Sequence, residues 1–393
     1  MGKCIEIESD QQRHVQTRSR LLGVQARKET INVTAVIVDR ANYGRMKSLL
    51  EEMQADDDIN LSVICCGSTL LKRFHQPVND IDKLFRVTHQ IYHEVEGSVS
   101  SAVVNSMALL MPQLVLAFQQ NDPDFVLIIG DRFETLAVAT TAAIMKLCIV
   151  HVQGGEHSGN IDNSIRHAIT KLSHYHLPST EDAKQTILDM GESEFTILGV
   201  GCPSVDYVKG VKKDELLSDT VLCVYHPEDC VNNNIIIKHL LSTLERLNRL
   251  VLMMWPNIDM GSEDIHKTIR RYLDDNKPTW LNMLVNVDPI TYDVMLASVY
   301  GCVGNSSSFV RDASFFGTPC VVIGDRQIGR IKTENVAWIR NFELDRLHLT
   351  MLRHFSFEFR PSSYYGVDGV AKRFVQRLKR ADEYKLKVTP CLL

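Results

Sequence analysis

The residues in this chain best suited to chemistry lie in a few short polar stretches. The stretch HVQGGEHSGNIDNSIRHA (151–168) brings His151, Gln153, Glu156, Asp162 and Arg166 together directly after the apolar run LCIV. Such a change, from buried strand to polar loop, is how an active-site loop reads. GDRFE places Asp131 and Arg132 after FVLII, and VYHPE places His226 after VLCVY. Carboxylates and an imidazole at such positions suit proton transfer. GNSSSFVRDASFFGTP (304–319) is a small-residue turn that would open a helix. Free backbone N–H groups and the positive end of a helix dipole there would form an anion site suited to a diphosphate. Asp312 falls in the first turns of that helix, where a carboxylate could accept bonds from ribose hydroxyls.

Each residue also has a bland reading. Asp131 could cap the helix that follows it. Asn305 and the serines could do the same for theirs. His226 could be a satisfied histidine at a strand end, and Arg326 a solvated surface charge.

The elements needed to position these groups are legible. VTAVIVD, LSVICCGS, DFVLIIGD and LCIVHVQ read as buried strands, alternating with the helical patterns RANYGRMKSLLEEM, SSAVVNSMALLMPQLVLAF and RFETLAVATTAAIMK. Continuous apolar strands alternating with helices predict a parallel sheet covered on both faces. The pattern breaks near GVGCPSVDYVKGVKKDELLSD and restarts with TVLCVYHP, RLVLMMWP, WLNMLVNV, YGCVGNSSS and TPCVVIGD. The expected fold is α/β, with two doubly wound Rossmann-like domains facing a cleft. The expected units are a mobile extension over 1–31, a first domain over 32–205, a second over 206–365, and a C-terminal helix and tail over 366–393. Ligands of such sheets bind beyond the carboxyl ends of the strands. Those ends carry Arg40, Ala41 and Asn42; Gly130, Asp131 and Arg132; Gln153 to Glu156; His226; Asn257 and Asp259; Gly304 to Ser308; and Arg326.

Composition narrows the function. Of 393 residues, 45% are hydrophobic and 23% charged, and the net charge of −5 supplies no basic field for nucleic acid or an anionic membrane. No apolar run looks long enough to span a bilayer, and the N-terminus lacks a signal-peptide core. Ten cysteines without CxxC spacing fit buried, reduced thiols and a cytoplasmic location. There is no GxGxxG after the first strand, no GxxxxGK[ST] and no HExxH. His151 with His157, or His174 with His176, lacks a third ligand, so no metal is expected.

Several longer segments carry a family resemblance. GDRFETLAVATTAAIMK, HVQGGEHSGNIDNSIRHAITKLSHYH, GCPSVDYV, PNIDMGS, GNSSSFVRDASFFGTP and RQIGRIKTENV occur in that order. They resemble the hydrolysing UDP-N-acetylglucosamine 2-epimerases, above all the epimerase half of the animal bifunctional 2-epimerase/N-acetylmannosamine kinases. No Asp-x-Gly-Gly-Thr kinase segment follows, so an epimerase domain alone is expected. The resemblance implies a glycosyltransferase-B-like fold and the first step of sialic acid synthesis. UDP is eliminated from UDP-GlcNAc to give a glycal, and water adds to give N-acetylmannosamine.

By the same resemblance Asp131, Gln153, Asp162 and His226 are the catalytic positions. Arg40, Arg132, Arg166, Asn257, Ser306, Ser307, Asp312 and Arg326 are substrate-binding. Gln153 stands where the family has a glutamate, Asn163 where it has an aspartate, and Asp312 where it has a glutamate. Glu263 and Lys267 replace a lysine and an arginine of the family's feedback region, while Arg270 is kept. Because glutamine cannot take a proton, an impaired UDP-sugar-binding relative is the alternative, and another UDP-sugar enzyme a third reading. No cofactor is implied. A homo-oligomer (dimer or tetramer) is expected, with the apolar helix over 101–118 as a candidate interface.

Overall fold

The computed structural model describes residues 30–97, 99–257 and 259–381. The expected N-terminal extension, apart from its last two residues, and the end of the tail lie outside them. The first half contains β1 (Ile31–Ile37), α1 (Arg40–Gln54), β2 (Ile59–Cys66), α2 (Val78–Leu84), β3 (Val87–Ile91) and α3 (Ser100–Asn121). It continues with β4 (Phe125–Ile129), α4 (Phe133–Ile144), β5 (Cys148–Val152), α5 (Asp162–Leu172), β6 (Tyr175–Leu177) and α6 (Glu181–Asp189). The second half contains β7 (Thr220–Val224), α7 (Asn233–Glu245), β8 (Leu250–Met254), α8 (Ser262–Asn276), β9 (Leu281–Leu284) and α9 (Pro289–Ser298). Then come β10 (Gly301–Gly304), α10 (Ser307–Val310), β11 (Cys320–Ile323), β12 (Val336–Ile339), α11 (Leu347–His354) and α12 (Val370–Leu378).

The two halves repeat one topology. The first sheet is ordered β3-β2-β1-β4-β5-β6 and the second β12-β11-β10-β7-β8-β9. Within each half the order is 3-2-1-4-5-6, and the neighbouring strands pair in parallel. Strand order reverses between β1 and β4 in one sheet and between β7 and β10 in the other. Those are the crevices where such sheets bind ligands. The alternation along β1 divides the core: Val33, Ala35 and Ile37 join an apolar cluster that runs through both halves, while Val36 and Val38 pack beneath α3 and α4. α7, α8 and α11 cover the outer face of the second sheet.

Three strands escaped the sequence reading. β3 (VTHQI) is a polar edge strand and β6 has three residues, while β12 follows a charged loop. The diphosphate helix also differs from expectation. α10 is a single turn, and at Arg311 the chain passes into a 3-10 turn, Asp312–Phe315. One turn sums few peptide dipoles, so side chains must supply most of any anion binding. The expectation that no segment is long and apolar enough to cross a membrane is also corrected: α3, with 22 residues, meets that test. Its inner stripe, Leu110, Leu114, Ala117 and Phe118, is buried in the first domain, whereas Val104 and Leu116 are about 60% exposed. The described cysteines are free thiols, buried except for Cys230.

The chain crosses between the halves twice. The first crossing contains a 3-10 segment, Pro203–Gly210. The second follows α11 and returns α12 to the first half, where it packs on α1. Asp206 in the first crossing caps α12, accepting from the backbone N–H groups of Gly369, Val370 and Ala371 at 2.8–2.9 Å. Lys379 then bonds Asp56 at 2.9 Å. The crossings touch: Cys202 N–H donates to the Tyr365 carbonyl at 2.7 Å. Gly201 and Gly366 face each other so closely that a Cβ at Gly366 would lie 3.0 Å from the Gly201 Cα. Both have positive φ, 136° and 129°, so glycine suits both positions twice over.

Candidate functional site

Beyond the ends of β1 and β7 a cleft of about 740 Å³ opens between the halves. Five of the expected residues line it: Arg40 from the first half, and His226, Asn257, Ser306 and Asp312 from the second. Arg40 reaches across to the Val285 carbonyl and, at 3.2 Å, to that of Trp255. Asn305 fixes the backbone of His226 from both sides, accepting from its N–H at 2.7 Å and donating to its carbonyl at 2.8 Å. The backbone N–H of Asn257 donates to His226 Nδ1 at 3.3 Å. The neutral ring therefore carries its proton on Nε2. Burial, helped by the positive Arg326, pushes this histidine down to about 3. At neutral pH His226 is an uncharged hydrogen-bond donor. Ser306 caps α10 through its hydroxyl, and Ser307 Oγ accepts from Arg45 at 2.7 Å.

A second group of expected residues forms an ion network beside the cleft. Asp131 accepts a hydrogen bond from Arg166, whose other contacts are the Glu156 carbonyl at 2.8 Å and Ser158 Oγ at 3.3 Å. The capping reading of Asp131 falls away, because Arg132 is the N-cap of α4 and no side chain caps it. Asp162 accepts from Asn160 at 2.7 Å and lies 3.7 Å from Arg326. Arg326 also donates to Asp259 at 3.1 Å and to the Pro227 carbonyl at 2.7 Å, so it is not a solvated surface charge. Arg132 holds Glu134 at 3.1 Å and Asp259 across the domain boundary. In this closed arrangement Arg132 and Arg166 are both committed to carboxylates.

The two aspartates are driven apart electrostatically. Burial raises the Asp131 carboxyl, but Arg166 and Arg330 outweigh it and hold it well below the usual carboxylate range. Burial and the neighbouring Asp131 push Asp162 up to about 6. Opposed shifts in adjacent carboxyls are how one site holds a charged group and a proton carrier together.

Gln153 takes another position. Its side chain is 2% exposed and is not part of the cleft wall. Gln153 Oε1 accepts from Arg311 at 3.1 Å, and its Nε2 donates to Cys202 Sγ at 3.2 Å. Cys202 Sγ lies 2.9 Å from Ser204 Oγ, which donates to Asp312 at 3.0 Å. Asp312 lies 3.6 Å from Arg311. The ring thus closes, joining both halves and the first crossing. Two of the family positions altered here, Gln153 and Asp312, are members of it.

Three arginines were missed from sequence: the buried Arg311 and the partly buried Arg45 and Arg330. Arg311 and Arg330 both pair with Glu156, carrying the loop after β5 against the second half. The one signal was local, since Arg311 precedes Asp312 in a turn already singled out. His151 is structural: its Nε2 lies 2.8 Å from the Gly130 carbonyl and its Nδ1 3.2 Å from Thr170 Oγ.

Comparison with known proteins gives concordant findings. Residues 51–379 match the family model for UDP-N-acetylglucosamine 2-epimerase. The chain is 32% identical over 319 residues to the hydrolysing GDP/UDP-N,N′-diacetylbacillosamine 2-epimerase of Campylobacter jejuni, covering 77% of this chain and 83% of that one. It is 28% identical to the UDP-N-acetylglucosamine 2-epimerase of Neisseria meningitidis, covering 74% and 79%. The fold superposes on the Methanocaldococcus jannaschii UDP-GlcNAc 2-epimerase solved with UDP-GlcNAc and UDP, with a TM-score of 0.74 at 16% identity over 89% of this chain and all of that one.

Proposed function

Since the chain belongs to the hydrolysing UDP-N-acetylglucosamine 2-epimerase family, we propose that it acts on UDP-GlcNAc and releases UDP and N-acetylmannosamine. The reaction has two halves. First, the C2 proton is removed, the C1–O bond breaks and its electron pair leaves with UDP, giving a glycal. Water then adds, its hydroxyl to C1 and a proton to C2 from the opposite face.

The observation that carries this reading is the opposed pair of carboxyls. Asp131, clamped by Arg166, stays ionised, while Asp162, near 6, can take up and return a proton close to neutrality. His226 would donate from Nε2 to the leaving diphosphate, with Arg40 offering positive charge at the same cleft. Gln153 takes no part in proton transfer here. It holds Arg311 and the crossing in place, so its lack of a titratable group is compatible with turnover. Supply of N-acetylmannosamine for sialic acid synthesis in the cytosol, and self-association as a dimer or tetramer through the outer stripe of α3, complete the proposal.

A second sugar fits one finding. Relatives from Campylobacter and Legionella, 32% and 31% identical, bear the name diacetylbacillosamine 2-epimerase. The test is incubation with UDP-GlcNAc, and separately with UDP-diacetylbacillosamine, in D₂O, followed by proton NMR. Free UDP and a C2-deuterated N-acetylmannosamine from the first substrate are expected. Turnover of the second alone reassigns the sugar. UDP binding without turnover of either supports the impaired relative.

A further inference from the structure

The cleft contains one acidic side chain for which the assignments above give no role. Asp293, on α9, lines the cleft near Asp312 and is only 9% exposed. Among the described residues it has neither a hydrogen bond nor an ion pair. Burial, with Asp312 and Asp288 nearby, pushes its carboxyl up to about 8, and Lys47 opposes this. Lys47, however, is engaged elsewhere, 3.8 Å from Glu51 and over the Tyr207 ring. The Asp293 oxygens open onto the cleft and not into the core, and the fold makes no use of them, as the flanking Met295 and Leu296 pack without them.

A carboxyl raised to about 8 is protonated at neutral pH, so it can accept through one oxygen and donate through the other, and it faces the cleft where a ligand would sit. On a nucleoside diphosphate the phosphate oxygens only accept, whereas the ribose hydroxyls and the imide edge of the base both accept and donate. The ribose is favoured because it offers two adjacent hydroxyls. Asp312, its own carboxylate fixed by Ser204 at 3.0 Å, lies beside Asp293. Two neighbouring carboxyls match a vicinal diol.

We propose that Asp293 is a nucleoside-recognition residue, its carboxyl accepting a hydrogen bond from the ribose diol that Asp312 also contacts. This rests on the nucleotide-sugar reading of the cleft. The altered acidic position at Asp312, one methylene shorter than in the family, is thereby supplemented from α9.

The experiment is titration calorimetry of the full chain and its Asp293→Ala and Asp293→Asn variants, with UDP and with 2′,3′-dideoxy-UDP, alongside thermal melting. Asp293→Ala is expected to weaken UDP binding on the order of tenfold and to leave dideoxy-UDP binding unchanged. Asp293→Asn, which keeps one acceptor oxygen, should recover part of the loss. Without nucleotide, both variants should melt at or above the temperature of the unmodified chain. An equal loss for UDP and dideoxy-UDP would mean that the carboxyl meets the base, and the diol assignment is overturned. UDP binding unaffected by Asp293→Ala overturns any nucleoside role. Failure of the unmodified chain to bind UDP at all overturns the nucleotide reading, and this inference with it.

Discussion

At the scale of single residues, the proposed reaction assigns Asp131 and Asp162 different tasks. Replacing Asp131 by Asn removes the fixed carboxylate and leaves Arg166 without its anion. Turnover should fall about 10²–10⁴-fold, measured as UDP release at saturating substrate. Asp162→Asn should lower turnover similarly while changing stability in a predictable direction. A carboxyl raised from its ordinary value to about 6 favours the folded state while protonated, and that contribution is lost as pH rises from roughly 4 through 6. Asp162→Asn should therefore stabilise the protein at pH 7.5, on the order of 1–3 kcal/mol, and by little at pH 4. Melting curves at the two pH values check this. No difference between them would remove Asp162 from the role of proton carrier. Gln153→Ala deprives the buried Arg311 of an acceptor, at about 1–3 kcal/mol of stability. Its turnover at low temperature should fall much less than that of Asp131→Asn. A loss as large as that of Asp131→Asn would place Gln153 in the chemistry after all.

At the scale of elements, the loop after β5 is held against the second half by backbone as well as by charge. Gly159 N–H donates to the Arg326 carbonyl at 3.2 Å, and a Cβ at Gly159 would lie 2.1 Å from the Asp325 carbonyl oxygen. Gly159→Ala should keep the two halves slightly apart without harming either. The expected outcome is a raised KM with a melting temperature close to that of the unmodified chain. The sequence revealed such strand-end loops because buried parallel strands are continuous apolar runs, and a polar residue at their end stands out. Asp131, His226 and Asp312 were legible for that reason. Elements whose stability comes from neighbours were not: β6 is three residues beside β5, and β3 is half polar because it lies at an edge. Arg45, Arg311 and Arg330 were hidden for a related reason. An arginine reads as surface charge until the fold buries it among carboxylates from the other half of the chain. The length of α3 misled in the opposite sense, since one face serves the core and the other is apolar without being buried.

At the scale of the whole molecule, that outer face bears on assembly. Val104, Leu109 and Leu116 are 53–62% exposed along one helix. If the chain pairs through this stripe, Leu109→Glu with Leu116→Glu should reduce its mass in sedimentation to that of one chain and leave UDP binding intact. An unchanged mass would move the contact elsewhere. The same sheet order occurs in both halves, so their ligand crevices face each other, as a glycosyltransferase-B-like fold requires. The covalent connection between those halves is narrow. Both crossings lie side by side at Gly201 and Gly366, with Asp206 and Tyr365 bonding one to the other. Two plates strapped together along a single edge keep one easy freedom, rotation about the line through the straps. Sliding and twisting would shear the hydrogen bonds between the straps, so any opening of the cleft is expected to be a swing about one axis. A probe pair with one member on each half, away from the crossings, would register such a swing as a single coordinate, and two independent coordinates would exclude it.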